Sequence, residues 1–302
     1  MDGKQTIGFA GIGNMGWPMA ARLVKAGYSV YVLDSRPQRA EAFAREIGGS
    51  AARNMQELGA AADIVITMLP DSGAVGEVLF GTAQGAALNL RSGSVVIEMS
   101  SGVPSRTVAF AEKLQAQAIT MIDAPVSGGV KRAVTGELAI MAGGDAAVID
   151  RCEPVLRSMG SSIMRVGALG AGQAMKALNN LVSAGGFLIG IEALLVGKKF
   201  GLDPSVMVDV LNASTGTNNS TQKKFKQFVI SRSFDSGFGL DLMVKDLTIA
   251  TEMARDAHAS VPFAALCREM WAAAATALEP GQDHTALAKL SEMLAGAQLG
   301  NG

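Results

Sequence analysis

Apolar and polar residues follow one pattern up to about residue 166 and another pattern after it. In the first part, short runs that are apolar on consecutive positions alternate with segments whose apolar residues recur at helical spacing. A continuous apolar run is typical of a strand buried on both faces, so this alternation predicts a mostly parallel sheet with helices on both sides. The predicted strands are residues 6–10, 29–33, 64–69, 95–99, 119–122 and 138–142.

In the second part, strand-like runs largely disappear and apolar residues recur at a spacing of three or four. That spacing predicts helices, among them 204–211, 221–230, 240–257 and 261–278. Asp203 followed by Pro204 is a typical helix start. We therefore predict a doubly wound α/β domain over residues 1–166 and an all-α domain over 167–302, which begins with a long joining helix at 171–199.

A glycine-rich loop follows the first predicted strand and precedes a helix. Glycine at these positions allows a tight turn, the approach of a pyrophosphate to the backbone, and close packing of helix on strand. The helix N-terminus supplies N–H groups for the phosphates, as in a Rossmann-type domain. The residues predicted to bind a dinucleotide are Gly11, Ile12, Gly13, Asn14, Met15 and Gly16. A glycine-rich turn without a ligand is the alternative.

Asp34 ends the second predicted strand, 18 residues after Gly16. A carboxylate at this place accepts hydrogen bonds from the ribose hydroxyls of NAD and repels the 2′-phosphate of NADP. Arg36 follows two residues later, and an arginine there can accommodate that phosphate. We expect NAD to be preferred, with NADP as the open alternative.

Three further loops follow predicted strands. Ligands of open α/β sheets bind at the carboxyl ends of the strands, which draws attention to the 68–70 and 100–101 loops, although ordinary turns explain them equally well. The third loop, 123–129, contains Ser127 followed by Gly128 and Gly129. A hydroxyl beside two glycine amides suits a carboxylate, while a β-turn without a ligand is the alternative.

Lys176 lies in the first turns of the joining helix, with Asn179 at i+3 and Asn180 at i+4. The three side chains share one helix face among Ala, Leu and Val, where polar groups are unfavourable to bury unless they are used. The helix dipole and desolvation both disfavour an ammonium there. We expect its pKa to fall from about 10.4 to roughly 7–8, so that it can accept a proton from an alcohol. A surface lysine with interfacial asparagines is the alternative.

The composition of the chain argues against several classes of function. The chain has 26 Lys+Arg and 27 Asp+Glu with 5% aromatic residues, so no charge pattern favours nucleic acid or an anionic membrane. The two histidines, His258 and His284, are expected at the surface, and Cys152 and Cys267 as buried thiols of a reducing compartment. No metal-ligand cluster is visible. The N-terminus lacks a signal pattern, and the uncharged stretch 177–191 is too short for a bilayer, so we expect a cytoplasmic protein.

Taken together, the motifs resemble the β-hydroxyacid dehydrogenases, the family of 3-hydroxyisobutyrate dehydrogenase and tartronate semialdehyde reductase. The similarity to 6-phosphogluconate dehydrogenase is more distant. Four signatures stand in the order of that family and cover nearly the whole chain. They are the 11–16 loop, the 123–129 segment, the 167–180 block and Lys245-Asp246-Leu247, which follows Phe238.

The resemblance implies an NAD(P)-dependent oxidoreductase that acts on CH–OH groups, with Lys176 as general acid/base and no metal. It implies that the substrate is bound by Ser127, Gly128, Gly129, Asn179 and Asn180. It also implies that the dinucleotide is flanked by Met68, Leu69, Pro70 and Ser101, with Lys245 nearby. Members of the family assemble through the helical domain, so a homodimer or homotetramer is expected.

The substrate stays open at this point. A small hydroxyacid such as 3-hydroxyisobutyrate is expected, and the alternatives are serine, threonate, 4-hydroxybutyrate, and tartronate or succinic semialdehyde. The chain departs from the family at Arg132, where many members carry glycine before alanine. Asn218-Asn219 is interpreted as a helix cap or as part of substrate selection. A non-catalytic dinucleotide-binding protein and an imine reductase are the competing classes, and neither requires Lys176.

Overall fold

The computed structural model describes residues 4–81 and 89–300. The chain divides into two compact units between Lys176 and Ala177. We predicted the domain boundary at residue 166, before the joining helix, whereas this division falls inside that helix. Each unit has its own apolar core.

The N-terminal unit is built on a nine-stranded sheet. In chain order its strands are β1 (Thr6–Ala10), β2 (Ser29–Leu33), β3 (Ser50–Ala51), β4 (Ile64–Thr67), β5 (Val95–Glu98), β6 (Thr120–Asp123), β7 (Val126–Ser127), β8 (Leu138–Gly143) and β9 (Gly160–Gly167). Their order is β3-β2-β1-β4-β5-β6-β8-β7, and β9 pairs with β8. The first six strands are parallel, whereas β8 runs antiparallel to β6 and β7. The order 3-2-1-4-5-6 confirms the Rossmann-type prediction.

Among the residues that the structure describes, seven α-helices lie wholly in this unit. They are α1 (Gly16–Lys25), α2 (Pro37–Glu46), α3 (Met55–Ala61), α4 (Ser72–Phe80), α5 (Pro104–Gln115), α6 (Gly129–Thr135) and α7 (Ala146–Arg157). Successive residues of one strand belong to different apolar cores. Val95 and Ile97 lie in the core that includes Leu23 of α1, whereas Val96 lies in the core that includes Leu114 of α5. Both faces of the sheet are therefore covered by helices, as the continuous apolar runs predicted.

The C-terminal unit is helical. Its elements are α8 (Ala171–Phe200, which starts in the first unit), α9 (Pro204–Asn212), α10 (Asn219–Lys223), a π-helix (Phe225–Ile230), α11 (Leu240–Asp256), α12 (Pro262–Ala277), a 3₁₀ turn (His284–Ala286) and α13 (Leu287–Ala295). Asp203 caps α9 by accepting hydrogen bonds from the N–H groups of Ser205 and Val206, at 2.7 and 3.0 Å. The helix predicted at 221–230 is instead split at Lys224 into α10 and the π-helix.

Helix α8 is long and apolar enough to cross a membrane by length and composition alone, with a mean hydropathy of 1.6 over an 18-residue window. The sequence argument rested on the shorter uncharged stretch 177–191 and missed this. Of that window, 56% is buried inside the structure, and a packed core helix passes the same test. The observation is therefore weak evidence for a membrane span.

Candidate active site

The loops after β1 and β4 meet where the strand order changes direction, which is the ligand-binding crevice of open α/β sheets. Gly11 follows β1 with a φ of +93°, and a Cβ built there would lie 2.4 Å from the carbonyl oxygen of Met68. The same atom would lie 2.7 Å from Cδ2 of Leu69. Only glycine fits this contact, so the structure brings the glycine loop together with the 68–69 loop.

The other two glycines of the loop have different surroundings. A Cβ at Gly16 would lie 1.9 Å from the carbonyl oxygen of Gly11, so this glycine is required for packing of α1 against β1. A Cβ at Gly13 would meet no protein atom within 4 Å. The first turn of the helix starts here, since the N–H of Trp17 donates to the Gly13 carbonyl at 3.0 Å. Gly13 thus faces open space beside a helix N-terminus, which fits a pyrophosphate.

Asp34 is fixed beside this loop. Its side chain is only 8% exposed and accepts a hydrogen bond from the N–H of Ile12 at 3.2 Å. The other carboxylate oxygen accepts from the N–H of Arg36 at 3.1 Å and lies 3.5 Å from its Nε. The guanidinium of Arg36 is therefore held by Asp34, while its side chain is 67% exposed.

The remaining loop residues lie at the same edge of the sheet. The N–H of Met68 donates to the Ala10 carbonyl at 2.9 Å, and the N–H of Leu69 donates to the hydroxyl of Ser100 at 2.9 Å. Ser100 itself is buried, Ser101 is partly buried and Pro70 is exposed. Ser100, which the sequence placed in this loop but not among the cofactor-binding residues, is thus the serine that supports the 68–69 loop.

The predicted substrate loop begins in β7, where Ser127 is paired with Ala139. Gly128 and Gly129 have φ values of +135° and +68°, so both occupy backbone conformations that favour glycine. Asn14 of the glycine loop and Val130, directly after Gly129, line one open cavity of about 560 Å³. The two predicted ligand loops are therefore neighbours.

Arg132, the departure noted in the sequence, has its aliphatic stem against Gly128: a Cβ there would lie 2.7 Å from its Cδ. The residue itself is exposed. Its guanidinium is thus available at the surface beside the predicted substrate loop.

Asp123 anchors the start of α8 on the sheet. Its side chain is fully buried at the carboxyl end of β6 and accepts hydrogen bonds from the N–H groups of Gly170 and Gln173, at 2.8 and 2.7 Å. Burial raises the pKa of Asp123 to about 6, although these N–H donors oppose the shift. The side chain of Gln173 adds hydrogen bonds to the Ser100 carbonyl and from the Gly102 N–H, at 2.7 and 2.8 Å.

Lys176 follows these anchors by one turn of α8 and is 9% exposed. Of the three polar residues predicted on this helix face, Lys176 and Asn180 are buried and Asn179 is partly buried. Since the N-terminus of the helix is held by two side chains of the first unit, the backbone of Lys176 is fixed relative to the carboxyl edge of the sheet. A surface lysine is thereby excluded.

Asn180 lies one turn further along and is 7% exposed. Its Nδ2 donates to Asp246, and its Oδ1 accepts from the side chain of Asn179 at 3.1 Å. Asp246 is 1% exposed and lies 3.4 Å from the Nζ of Lys245. Sequence reasoning quoted Asp246 only within a motif and missed its contact with Asn180. The one available signal was its place beside Lys245.

His284 was wrongly expected at the surface. It is 3% exposed, its ring lies nearly parallel to that of Trp271 at 6.2 Å, and its Nδ1 is 3.0 Å from the hydroxyl of Ser236. Burial lowers the pKa of His284 and so favours the neutral ring, although the neighbouring carboxylate of Asp283 opposes this shift. Asn218 is confirmed as a helix cap, because it forms a reciprocal capping box with Thr221 at the start of α10.

The chain matches two protein families that together cover most of its length. Residues 6–167 match the family described as the NAD binding domain of 6-phosphogluconate dehydrogenase. Residues 170–291 match the family described as NAD-binding of NADP-dependent 3-hydroxyisobutyrate dehydrogenase. The first match includes the glycine loop, Asp34 and the 123–129 segment, and the second includes Lys176 and Asp246.

Individual relatives are similar to the chain over nearly its whole length. The chain is 35% identical over 302 residues to 2-(hydroxymethyl)glutarate dehydrogenase of Eubacterium barkeri, covering 100% of both chains. It is 37% identical to 3-hydroxyisobutyrate dehydrogenase of Pseudomonas aeruginosa, covering 94% of this chain and 97% of the relative. The structure of Mycobacterium tuberculosis 3-hydroxyisobutyrate dehydrogenase with L-serine is similar, with a TM-score of 0.84, 32% identity, and coverage of 95% of this chain and 99% of that one.

Proposed function

Because the chain belongs to the β-hydroxyacid dehydrogenase family, we propose that it oxidises the hydroxyl group of a small β-hydroxyacid, with Lys176 as the general acid/base. The observation that carries this proposal is the placement of Lys176. It is buried on a helix whose start is anchored at the carboxyl edge of a dinucleotide-binding sheet, with Asn180 one turn away.

A bound nicotinamide supplies the acceptor for the hydride that leaves the carbinol carbon. Neutral Lys176 accepts the hydroxyl proton at Nζ while the C–O bond becomes a carbonyl, and the ammonium returns a proton in the reverse direction. Ser127 and the amides of Gly128 and Gly129 bind the carboxylate. Asn180 orients the hydroxyl toward Lys176, and holding the reacting groups in this geometry raises the rate.

We propose NAD as the preferred cofactor. Support comes from Asp34, whose carboxylate is fixed next to the glycine loop and would repel a 2′-phosphate. Arg36 is bound to that same carboxylate, so its charge is already partly compensated. The roles of Met68, Leu69, Pro70, Ser101 and Lys245 beside the dinucleotide remain predictions.

The test is a panel of hydroxyacids and semialdehydes with each cofactor, followed by nicotinamide absorbance. The panel contains 3-hydroxyisobutyrate, serine, threonate, 4-hydroxybutyrate, and tartronate and succinic semialdehyde. It also contains 2-(hydroxymethyl)glutarate, for which the Eubacterium barkeri relative is named. We expect turnover with at least one β-hydroxyacid. Binding of dinucleotide without turnover of any compound would favour a non-catalytic protein instead.

We also propose a homodimer or homotetramer. Val182, Ile189 and Val196 recur every seven residues on α8 and are 77%, 53% and 70% exposed. An apolar stripe with this period is typical of paired helices, and a second copy of the chain supplies a matching stripe. Light scattering is expected to give a mass of two or four chains, and Val182→Glu with Val196→Glu to lower it. A monomeric wild type would contradict the proposal.

A further inference from the structure

Lys224 occupies an unusual position in the C-terminal unit, between the end of α10 and the π-helix. Its ammonium is partly buried and donates to the hydroxyl of Ser183 at 3.3 Å. Within the described ranges 4–81 and 89–300, no carboxylate forms an ion pair with it. Burial lowers the pKa of Lys224 to about 8, and the more distant charge of Asp283 opposes that shift only in part.

Two nearby cations of the same unit form ion pairs, unlike Lys224 in the described part of the chain. Lys226 pairs with Asp209 at 2.6 Å, and Arg232 pairs with Glu292 at 2.6 Å. A desolvated ammonium without an anion is destabilising, whereas one that receives an anionic ligand gains a charge-assisted hydrogen bond. The local environment of Lys224 therefore suits an anion that arrives from outside the chain.

Ser183 places this cation relative to Lys176. Seven residues span nearly two helical turns, so Ser183 lies on the same face of α8 as Lys176 and about 10 Å further along the axis. Asn180, which is buried, lies between them on that face. An anion held by Lys224 would thus lie beyond the hydroxyl-binding residues, in line with them.

We propose that Lys224 and Ser183 bind a second carboxylate of the substrate, so that the preferred substrates are β-hydroxyacids with an additional acid group. This inference rests on the proposed function. The backbone positions of Lys176 and Ser183 are about 10 Å apart along α8, so the second carboxylate is expected on a different carbon from the reacting hydroxyl.

The first experiment compares substrates that differ only in the distal charge. The kcat/KM of the wild type is measured for 2-(hydroxymethyl)glutarate and for its C5 monoamide, with 3-hydroxyisobutyrate as the monoacid. We expect the diacid to exceed the monoamide by about tenfold or more, mainly through KM, as one charge-assisted hydrogen bond allows.

Three variants test which residue causes the preference for the diacid. Lys224→Met removes the ammonium and is expected to abolish the preference for the diacid while changing kcat/KM of the monoacid by less than about twofold. Lys223→Met is the matched control, since Lys223 is adjacent in sequence and exposed. Arg132→Met tests the other cation near the predicted carboxylate loop. Loss of the preference in Arg132→Met but not in Lys224→Met would overturn the assignment.

A binding measurement makes the test independent of turnover and of variant folding. Calorimetric titration of the wild type with glutarate and with glutaramate is expected to show tighter binding of glutarate, and Lys224→Met is expected to bind both equally. Equal binding to the wild type would overturn this inference. Turnover of monoacids without a diacid preference would do the same and leave the proposed function intact, whereas no turnover of any hydroxyacid would remove the proposed function itself.

Discussion

The buried carboxylate of Asp246 accepts a hydrogen bond from the side-chain amide of Asn180, one helical turn from Lys176. Because Nδ2 of Asn180 is the donor, its Oδ1 must face the other way, where it accepts from Asn179. The orientation of Asn180 is therefore set by a residue 66 positions away in sequence. This makes Asp246 a positioning residue for the proposed reaction.

Asp246→Asn is expected to lower kcat by about tenfold or more, since an amide at this place no longer fixes the orientation of Asn180 and misplaced groups lose rate steeply. The KM for the dinucleotide should change little. Asp246→Glu should restore part of kcat, which a purely structural role would not predict. Steady-state kinetics of the two variants check this. Equal losses in both, accompanied by a lower melting temperature, would argue for a structural role alone.

Gly13 and Gly16 offer a matched pair of alanine substitutions. Gly16→Ala places a methyl 1.9 Å from a backbone oxygen and is expected to destabilise the fold by about 3 kcal/mol. Gly13→Ala meets no protein atom within 4 Å, so the free energy of unfolding should be unchanged while dinucleotide binding weakens. Urea unfolding and cofactor titration of both variants separate the two roles. Unimpaired cofactor binding by Gly13→Ala would remove Gly13 from the pyrophosphate site.

Asp34 favours NAD as the cofactor, whereas Arg36 favours NADP. If Asp34 dominates, the wild type prefers NAD, and Asp34→Ala raises kcat/KM for NADP about tenfold because one charge repulsion disappears. Arg36→Met should then leave NAD use unchanged. The measurement is kcat/KM with each cofactor for the three proteins. A wild type that prefers NADP and loses that preference in Arg36→Met would show that the arginine dominates.

The raised pKa of Asp123 makes the stability of the fold depend on pH. Its pKa is about 6 in the folded protein, against an ordinary value of 3.8, so the native state binds the proton more tightly. The unfolding free energy from this group is therefore highest below pH 4 and falls as pH rises toward 6, by about 3 kcal/mol in total. The unfolding free energy of the wild type relative to that of Asp123→Asn should fall over that window, since Asn does not titrate. A relative stability of the wild type that is constant or rises with pH would contradict the shift.

Local patterns predicted much of the fold. Strands β1 and β2 have the predicted bounds, because buried parallel strands are apolar on consecutive positions. Strand β9 was missed, since it is largely exposed and carries Ser161, Ser162 and Arg165 instead of an apolar run. The π-helix was missed as well, because its residues have the composition of an ordinary helix.

The supporting contacts of the site were not predictable in the same way. The residues of the glycine loop are adjacent in sequence, so their spacing alone predicts a dinucleotide-binding loop. Asp123 contacts Gly170, 47 residues away, and Lys224 contacts Ser183, 41 residues away. His284 was placed at the surface for the same reason, since the aromatic rings around it come from distant helices. Such pairings depend on tertiary packing, which a single sequence does not display.

The most direct measurement is the turnover of Lys176→Ala, followed by nicotinamide absorbance with the best hydroxyacid of the panel and compared with dinucleotide affinity. If Lys176 is the general acid/base, this substitution is expected to lower kcat by about 10²–10⁴-fold. The dinucleotide affinity is expected to stay nearly unchanged. Turnover that survives at more than a few per cent of the wild-type rate would contradict the role of Lys176.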